Sequence, residues 1–324
     1  MLLLATTALL AGCVKKTTEP VSRSSFLLNT FVTVTLYDPA DETVLDEALN
    51  LCSEYEKRLS KTLEGSEIYG LNHREKGQRR MEVSESTARV LAKGLEYSRL
   101  SQGAFDITIE PLSSLWDFTG ENPHVPEEGH IEEAREKVGY EKVSLEGNQV
   151  IFADDITTID LGAIAKGFIA DEMKAYLVEV GVKSAIINLG GNVLCIGGQA
   201  GGKPFRIGIQ KPYADRNEVL AALSVSDMSV VSSGVYERYF EENGVNYHHI
   251  LNPKTGYPYE NGLEQVSIIS PYSVDGDGLS TTCFALGLED GMKLLDSMDG
   301  IYGIFVTDDG KVHYTEGTEV LLDK

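Results

Sequence analysis

Apolar positions along the chain change their spacing from stretch to stretch, and those changes mark the elements. Residues 24–37 (Ser-Ser-Phe-Leu-Leu-Asn-Thr-Phe-Val-Thr-Val-Thr-Leu-Tyr) are dense in β-branched and aromatic side chains and predict a strand. From Asp41 to Leu59, the apolar residues Val44, Leu45, Ala48, Leu49, Cys52 and Tyr55 share one helical face behind an acidic start. A second helix is predicted from Ser84 to about Ser101, with a capping stretch at Ser84 and a stop at Gly103. Pro111, Gly120, Pro123, Pro126 and Gly129 predict a loop-rich section. A short helix over 131–138 and a hairpin over 141–152, turning at Gly147-Asn148, follow.

Beyond residue 155 the pattern changes. Ile156–Asp160 predicts a strand, Ile164–Val180 a helix closed by Gly181, and Ser184–Asn188 an apolar strand, together a strand–helix–strand unit. Further strands are expected near 193–196, 205–209, 223–226, 229–233, 247–251 and 265–270. Helices are expected from about Asp275 to Leu288 and over 290–298, with a closing hairpin over 301–307 and 311–315. The fold class is α+β, mixed, with mostly antiparallel strands.

Composition narrows the function. Apolar residues at 42% and charged residues at 24% are globular values, so wholesale disorder is excluded. Twenty-eight Lys and Arg stand against 50 Asp and Glu, a net charge of −22 that repels polyanions, so no nucleic-acid partner is expected. No apolar run reaches the ~18–20 residues of a membrane span. Met1 to Gly12 is apolar and short, and Cys13 follows. Leu10-Ala11-Gly12-Cys13 resembles the lipobox of bacterial lipoproteins, in which the cysteine is diacylated. That resemblance implies a signal peptide over 1–12 and a lipid-anchored tether over 13–24, which would hold the remaining domain, 25–324, on the extracytoplasmic face of a bacterial cell membrane. The same run also reads as a short buried helix. Cys52, Cys195 and Cys283 sit in apolar contexts without zinc-like spacing, and are expected as buried free thiols.

Four segments could carry chemistry. In Asp160-Leu-Gly-Ala-Ile-Ala-Lys-Gly167 a strand would end and a helix begin, and helix N-termini offer unpaired N–H groups to a phosphate that Lys166 could reach. A plain turn with a surface lysine fits the same residues. Asn188-Leu-Gly-Gly-Asn192 allows a close backbone approach to a ligand, or merely a turn. His248 and His249 are adjacent, so on a strand they face opposite sides and only one points inward. An inward histidine is either a satisfied core group or a candidate for acid–base work. Asp277 and Thr281 lie four apart on a predicted helix and share a face, offering hard oxygens suited to Mg²⁺. A helix-dipole aspartate beside a packing threonine is the alternative. Together these are the parts for metal-assisted chemistry on a phosphoanhydride.

The same four segments, with Gly103-Ala-Phe-Asp-Ile-Thr-Ile-Glu-Pro-Leu-Ser-Ser-Leu-Trp116, resemble the FAD:protein FMN transferase (ApbE-like) family from about Phe26 to near the C-terminus. The resemblance implies a T-fold-like architecture with two lobes around a flavin cleft. It implies an enzyme that splits FAD at its pyrophosphate, attaches FMN to a Thr or Ser of an acceptor protein and releases AMP, with Mg²⁺ as cofactor. Carried over by position, Ala163, Asp277 and Thr281 would hold the metal. Leu28, Thr62, Ala104, Phe105, Asp106, Asp160, Lys166 and Leu251 would line the FAD site, with Leu28 on a strand. His249 and Lys166 would be catalytic, His249 by taking the acceptor's proton. Two departures bear on this: many members have Met-Gly-Thr at Leu28-Asn29-Thr30, and some have an aromatic near Thr62. A less enclosed pocket would admit water and give FAD hydrolysis to FMN and AMP. A non-catalytic flavin-binding lipoprotein is the alternative from another class.

Overall fold

The computed structural model describes residues 19–38, 41–120, 123–215 and 218–323. Cys13 and the lipobox-like segment lie outside them. In chain order the elements are β1 (Val21–Leu27), β2 (Thr30–Leu36), α1 (Thr43–Leu59), α2 (Glu67–Asn72), β3 (Arg80–Glu82), α3 (Glu85–Leu100), α4 (Glu110–Trp116), α5 (Glu128–Lys137), β4 (Val143–Glu146) and β5 (Gln149–Phe152). Then come α6 (Ala165–Glu179), β6 (Ala185–Leu189), β7 (Asn192–Ile196), β8 (Phe205–Gln210), β9 (Val219–Val225), β10 (Ser229–Gly234), β11 (Tyr239–Glu242) and β12 (Val245–His248). Last are β13 (Leu263–Ser270), α7 (Ser273–Leu286), α8 (Leu288–Asp296), β14 (Tyr302–Thr307) and β15 (Val312–Tyr314).

An eight-stranded sheet, ordered β1-β2-β6-β7-β10-β13-β14-β15 and antiparallel at every pair, forms the frame. The α+β reading holds. Its central strands bury both faces. Leu194, Ile196, Ile268 and Phe305 join the core that includes Ile169 and Met173 of α6 and Leu279 and Cys283 of α7. Their neighbours Cys195, Ile269 and Ile304 join a second core under β8 and β9. Successive strand residues point to opposite faces, so a strand covered on both sides reads as an unbroken apolar run, as residues 193–196 of β7 do. No helix among the described residues is long and apolar enough to cross a membrane.

Three expectations need correction. Residues 24–37 are not one strand but the hairpin β1–β2, folded at Leu28-Asn29, where φ is 54° and 56°. Two left-handed residues in succession make the tight turn that matches strand twist, and among them only Asn29 is a common choice. Composition marks the chain as extended but does not show where it folds back. Residues 156–160 join no sheet among the described residues: the Asn72 side chain bonds both the N–H and the C=O of Ile159, at 2.7 and 2.8 Å, in place of a strand partner. The stretch around Pro111 holds a helix, α4, because a proline in the first turn gives up only an N–H that would be unpaired there anyway.

Cys52, Cys195 and Cys283 are buried free thiols, as expected. Burial drives all three above the usual thiol pKa, Cys52 and Cys195 to about 12.

Candidate active site

Helices α6 and α7 pack against each other on the sheet, and the site lies where they meet. Gly167, in the first turn of α6, donates its N–H to Asp277 Oδ2 of α7 at 2.7 Å. Glycine is required there: a Cβ on residue 167 would sit 2.2 Å from the Ser273 carbonyl oxygen and 2.8 Å from the Asp277 Cβ. Three features of this helix start are open to a ligand. The Lys166 N–H and the Ala163 C=O take no hydrogen bond among the described residues, and Lys166 Nζ makes no salt bridge there. The first is the unpaired donor of a helix N-terminus, suited to an anion.

Asp277 is buried, and burial raises its carboxyl above the usual value, while Lys166, the Gly167 N–H and Asn192 draw it back. Thr281, one turn on, shares its hydroxyl with Ser233 Oγ of β10 at 3.2 Å. Among the described residues no three His, Cys, Asp or Glu side chains converge on a metal position. One carboxylate, one hydroxyl and one unbonded carbonyl are nevertheless a fitting donor set for Mg²⁺, which takes one or two carboxylates and completes its shell with water and substrate phosphates.

The two histidines separate as their alternation demands. His248 ends β12 and faces the core: it is buried, lies 5.8 Å edge-on to Phe284, and bonds the Tyr259 carbonyl through Nε2 at 2.9 Å. His249 follows on the other side, with Nδ1 3.3 Å from the Arg238 carbonyl. That acceptor selects the tautomer protonated at Nδ1 and leaves Nε2 with its lone pair. Burial, then the charges of Arg238, His248 and Lys166, push its pKa down to about 3, so the ring is neutral at ordinary pH. Lys166, Asp277 and His249 therefore share one neighbourhood.

Asp160 anchors the other side of the helix start. Its Oδ1 accepts from the Gly162 N–H at 2.8 Å, and its Oδ2 accepts from Ser113 Oγ at 2.6 Å and Lys61 Nζ at 2.9 Å. Burial would raise this carboxyl; Lys61, Ser113 and the Gly162 N–H outweigh it, and its pKa lies below the usual value. The carboxylate is thus engaged within the protein and shapes the turn that presents Ala163.

The remaining candidates are placed less alike. The Asp160 N–H bonds the Ile107 carbonyl at 2.8 Å, bringing the 104–106 segment alongside. The Phe105 ring is buried in the main core, and Asp106 is spent on Thr108 and the Tyr140 N–H. The Ala104 carbonyl accepts from Tyr259 Oη at 3.0 Å, which ties this segment to the histidine loop. Leu28 sits in the hairpin turn, not on a strand, with its N–H held by Glu56 at 2.7 Å. Leu251 is buried with Leu112, Trp116 and Ile131. Thr62 is exposed in the turn after α1, beside Lys61. Sequence reasoning does not reach Lys61 or Arg238, which carry no local signal, and it gives Ser113 no role although that residue lies within the 103–116 segment. Asn192 had one, as the last residue of the Gly-Gly turn.

This antiparallel α+β frame is similar to those of solved ApbE structures. The flavin transferase ApbE from Vibrio cholerae is 28% identical and superposes with a TM-score of 0.85 over 94% of this chain and 99% of its own. The ApbE protein of Thermotoga maritima is 30% identical, with a TM-score of 0.86 over 94% of this chain and all of its own. A FAD:protein FMN transferase from Klebsiella pneumoniae is 35% identical over 296 residues, 88% of this chain and 89% of the relative. One from Treponema pallidum is 33% identical over 91% of this chain and 87% of the relative. The chain belongs to the ApbE family, whose model matches residues 28–305.

Proposed function

We propose that this protein is a Mg²⁺-dependent FAD:protein FMN transferase. The carrying observation is that Lys166, in the first turn of α6, lies close enough to Asp277 and to His249 to act on the charge of both, in a chain whose relatives bear that name. The acceptor hydroxyl oxygen bonds to the FMN phosphorus, the phosphorus–oxygen bond to the AMP half breaks, and AMP leaves with the bridging oxygen. His249 Nε2 takes the hydroxyl proton. A diphosphate entering beside it would offset the charges of Lys166 and Arg238, which oppose a proton on the ring after burial does. Lys166 Nζ and the Lys166 N–H hold the phosphoryl oxygens as charge builds there. Asp277, Thr281 and the Ala163 carbonyl would hold Mg²⁺, which supplies Lewis-acid stabilisation of the diphosphate. Asp160 and Lys61 fix the turn that aims the Ala163 carbonyl. Leu28, Thr62, Ala104, Phe105, Asp106 and Leu251 are proposed around the flavin and adenine, through backbone or shape where their side chains are already engaged.

The test is incubation with FAD, Mg²⁺ and an acceptor domain, followed by intact-mass spectrometry. Acceptor carrying one FMN phosphoester, lost in Asp277→Ala, supports the reading. FMN and AMP released without a labelled acceptor would make the protein a FAD pyrophosphatase, and unchanged FAD a binder. The lipobox-like segment supports a lipid anchor at Cys13 on the extracytoplasmic face, which labelling of the expressed precursor with a radioactive fatty acid tests.

A further inference from the structure

Asn192 opens β7 with its carboxamide 98% hidden from solvent, at 2% exposure. Its Oδ1 accepts from Ser273 Oγ at 2.7 Å. Its Nδ2 is buried and has no formed hydrogen bond, yet it lies beside Asp277 closely enough to stabilise that carboxylate. A buried N–H left unpaired costs ~1–3 kcal/mol, so a fold does not keep one without compensation. Turning the amide over gives no relief. It would set Oδ1 against the Asp277 carboxylate and Nδ2 against the hydroxyl that now donates to Oδ1. The Ser273 end is itself fixed, because Asp171 of α6 accepts the N–H groups of Ser273 and Val274 at 2.8 and 2.9 Å. A continuous run of bonds therefore leads from α6 through the start of α7 to the amide, which ends at the carboxylate with one donor in reserve.

We propose that Asn192 is a positioning residue for the cation site: its Nδ2 completes a hydrogen bond to Asp277 when the carboxylate takes up a divalent cation, and so fixes the orientation in which the aspartate binds. The Gly167 N–H holds Oδ2 from one side and Asn192 completes the grip from the other. This inference rests on the proposed role of Asp277. Partners in this position typically change metal affinity by ~10–100-fold.

The experiment titrates the purified protein with Mn²⁺ and reads bound ion by electron paramagnetic resonance, without FAD or turnover. Wild-type binding that Asp277→Ala abolishes establishes the site. Asn192→Ala is then expected to weaken Mn²⁺ at least tenfold while its melting curve remains cooperative, and Ser273→Ala to weaken it severalfold by freeing Oδ1. Asn192→Ser, which keeps a small polar group, serves in the same measurement if the alanine variant does not fold. Folded Asn192 variants that bind Mn²⁺ within twofold of wild type overturn the inference and leave the role of Asp277 standing. Wild-type protein that binds Mn²⁺ no better than Asp277→Ala overturns both.

Discussion

Gly167→Ala sets two effects against each other. In a helix interior, alanine is favoured over glycine by about 1 kcal/mol, so propensity alone forecasts a more stable protein. At this position the new methyl would meet the Ser273 carbonyl oxygen at 2.2 Å, its carbon at 2.6 Å and the Asp277 Cβ at 2.8 Å, where ordinary contact begins at 3.4 Å. Two of those atoms are backbone, so α6 and α7 must part by about 1 Å. Overpacking of this kind costs ~1–3 kcal/mol. Weakening the Gly167 N–H bond to a buried carboxylate adds up to ~1.5–3 kcal/mol. The clash outweighs the propensity by roughly 2–4 kcal/mol, a fall in melting temperature of about 3–6 °C for a chain of this size. A displacement of about 1 Å at Asp277 should also cut AMP release about a hundredfold. Gly70, in α2, is the control, since nothing lies within 4 Å of its missing Cβ. Gly70→Ala should be neutral or stabilising by up to ~1 kcal/mol. Calorimetry and an AMP-release assay decide; Gly167→Ala that melts with wild type and turns over normally refutes the seam as described.

His249→Gln should bind FAD nearly as wild type, seen by flavin fluorescence, and transfer FMN ~10²–10⁴-fold more slowly; equal losses of binding and turnover would make the ring structural. Lys61→Met leaves Asp160 with Ser113 and the Gly162 N–H but no cation, and should raise KM for FAD about tenfold with kcat less affected, read from initial rates. Asp171 has its pKa raised from 3.8 to about 6, chiefly by burial. Its folded carboxyl keeps a proton that the unfolded one has released, so the stability it contributes is present below about pH 4 and is lost as pH rises through 6. The melting temperature of Asp171→Asn relative to wild type should therefore climb between about pH 4 and pH 6 and level off above pH 7, and a flat difference would contradict this.

The site was legible in pieces because its pieces are local. A glycine turn before a lysine, or a carboxylate and a hydroxyl four apart, can be read within one window of sequence. What Asp277 touches could not be read that way: Gly167 and Asn192 lie 110 and 85 positions away and meet it only once α6, α7 and β7 are packed. Lys61 escaped for the same reason, since its importance comes from Asp160 and Ser113 across the fold. Strand β7 was legible because its two covered faces leave an unbroken apolar run over 193–196. The β1–β2 turn was missed because Leu28 is an improbable residue at positive φ. Residues 156–160 were overread because a side-chain amide, that of Asn72, satisfies the Ile159 backbone in place of a neighbouring strand.

The proposed base and the proposed cation ligands are mounted on supports of unequal strength. Asp277 rides on a helix bedded in the middle of the eight-stranded sheet, whereas His249 directly follows β12, which among the described residues pairs with β11 alone. Two-stranded ribbons are marginal by themselves. The amides of β11 and β12 should accordingly exchange with solvent long before those of α7, and an incoming acceptor could displace the histidine arm while the dinucleotide's anchor stays rigid.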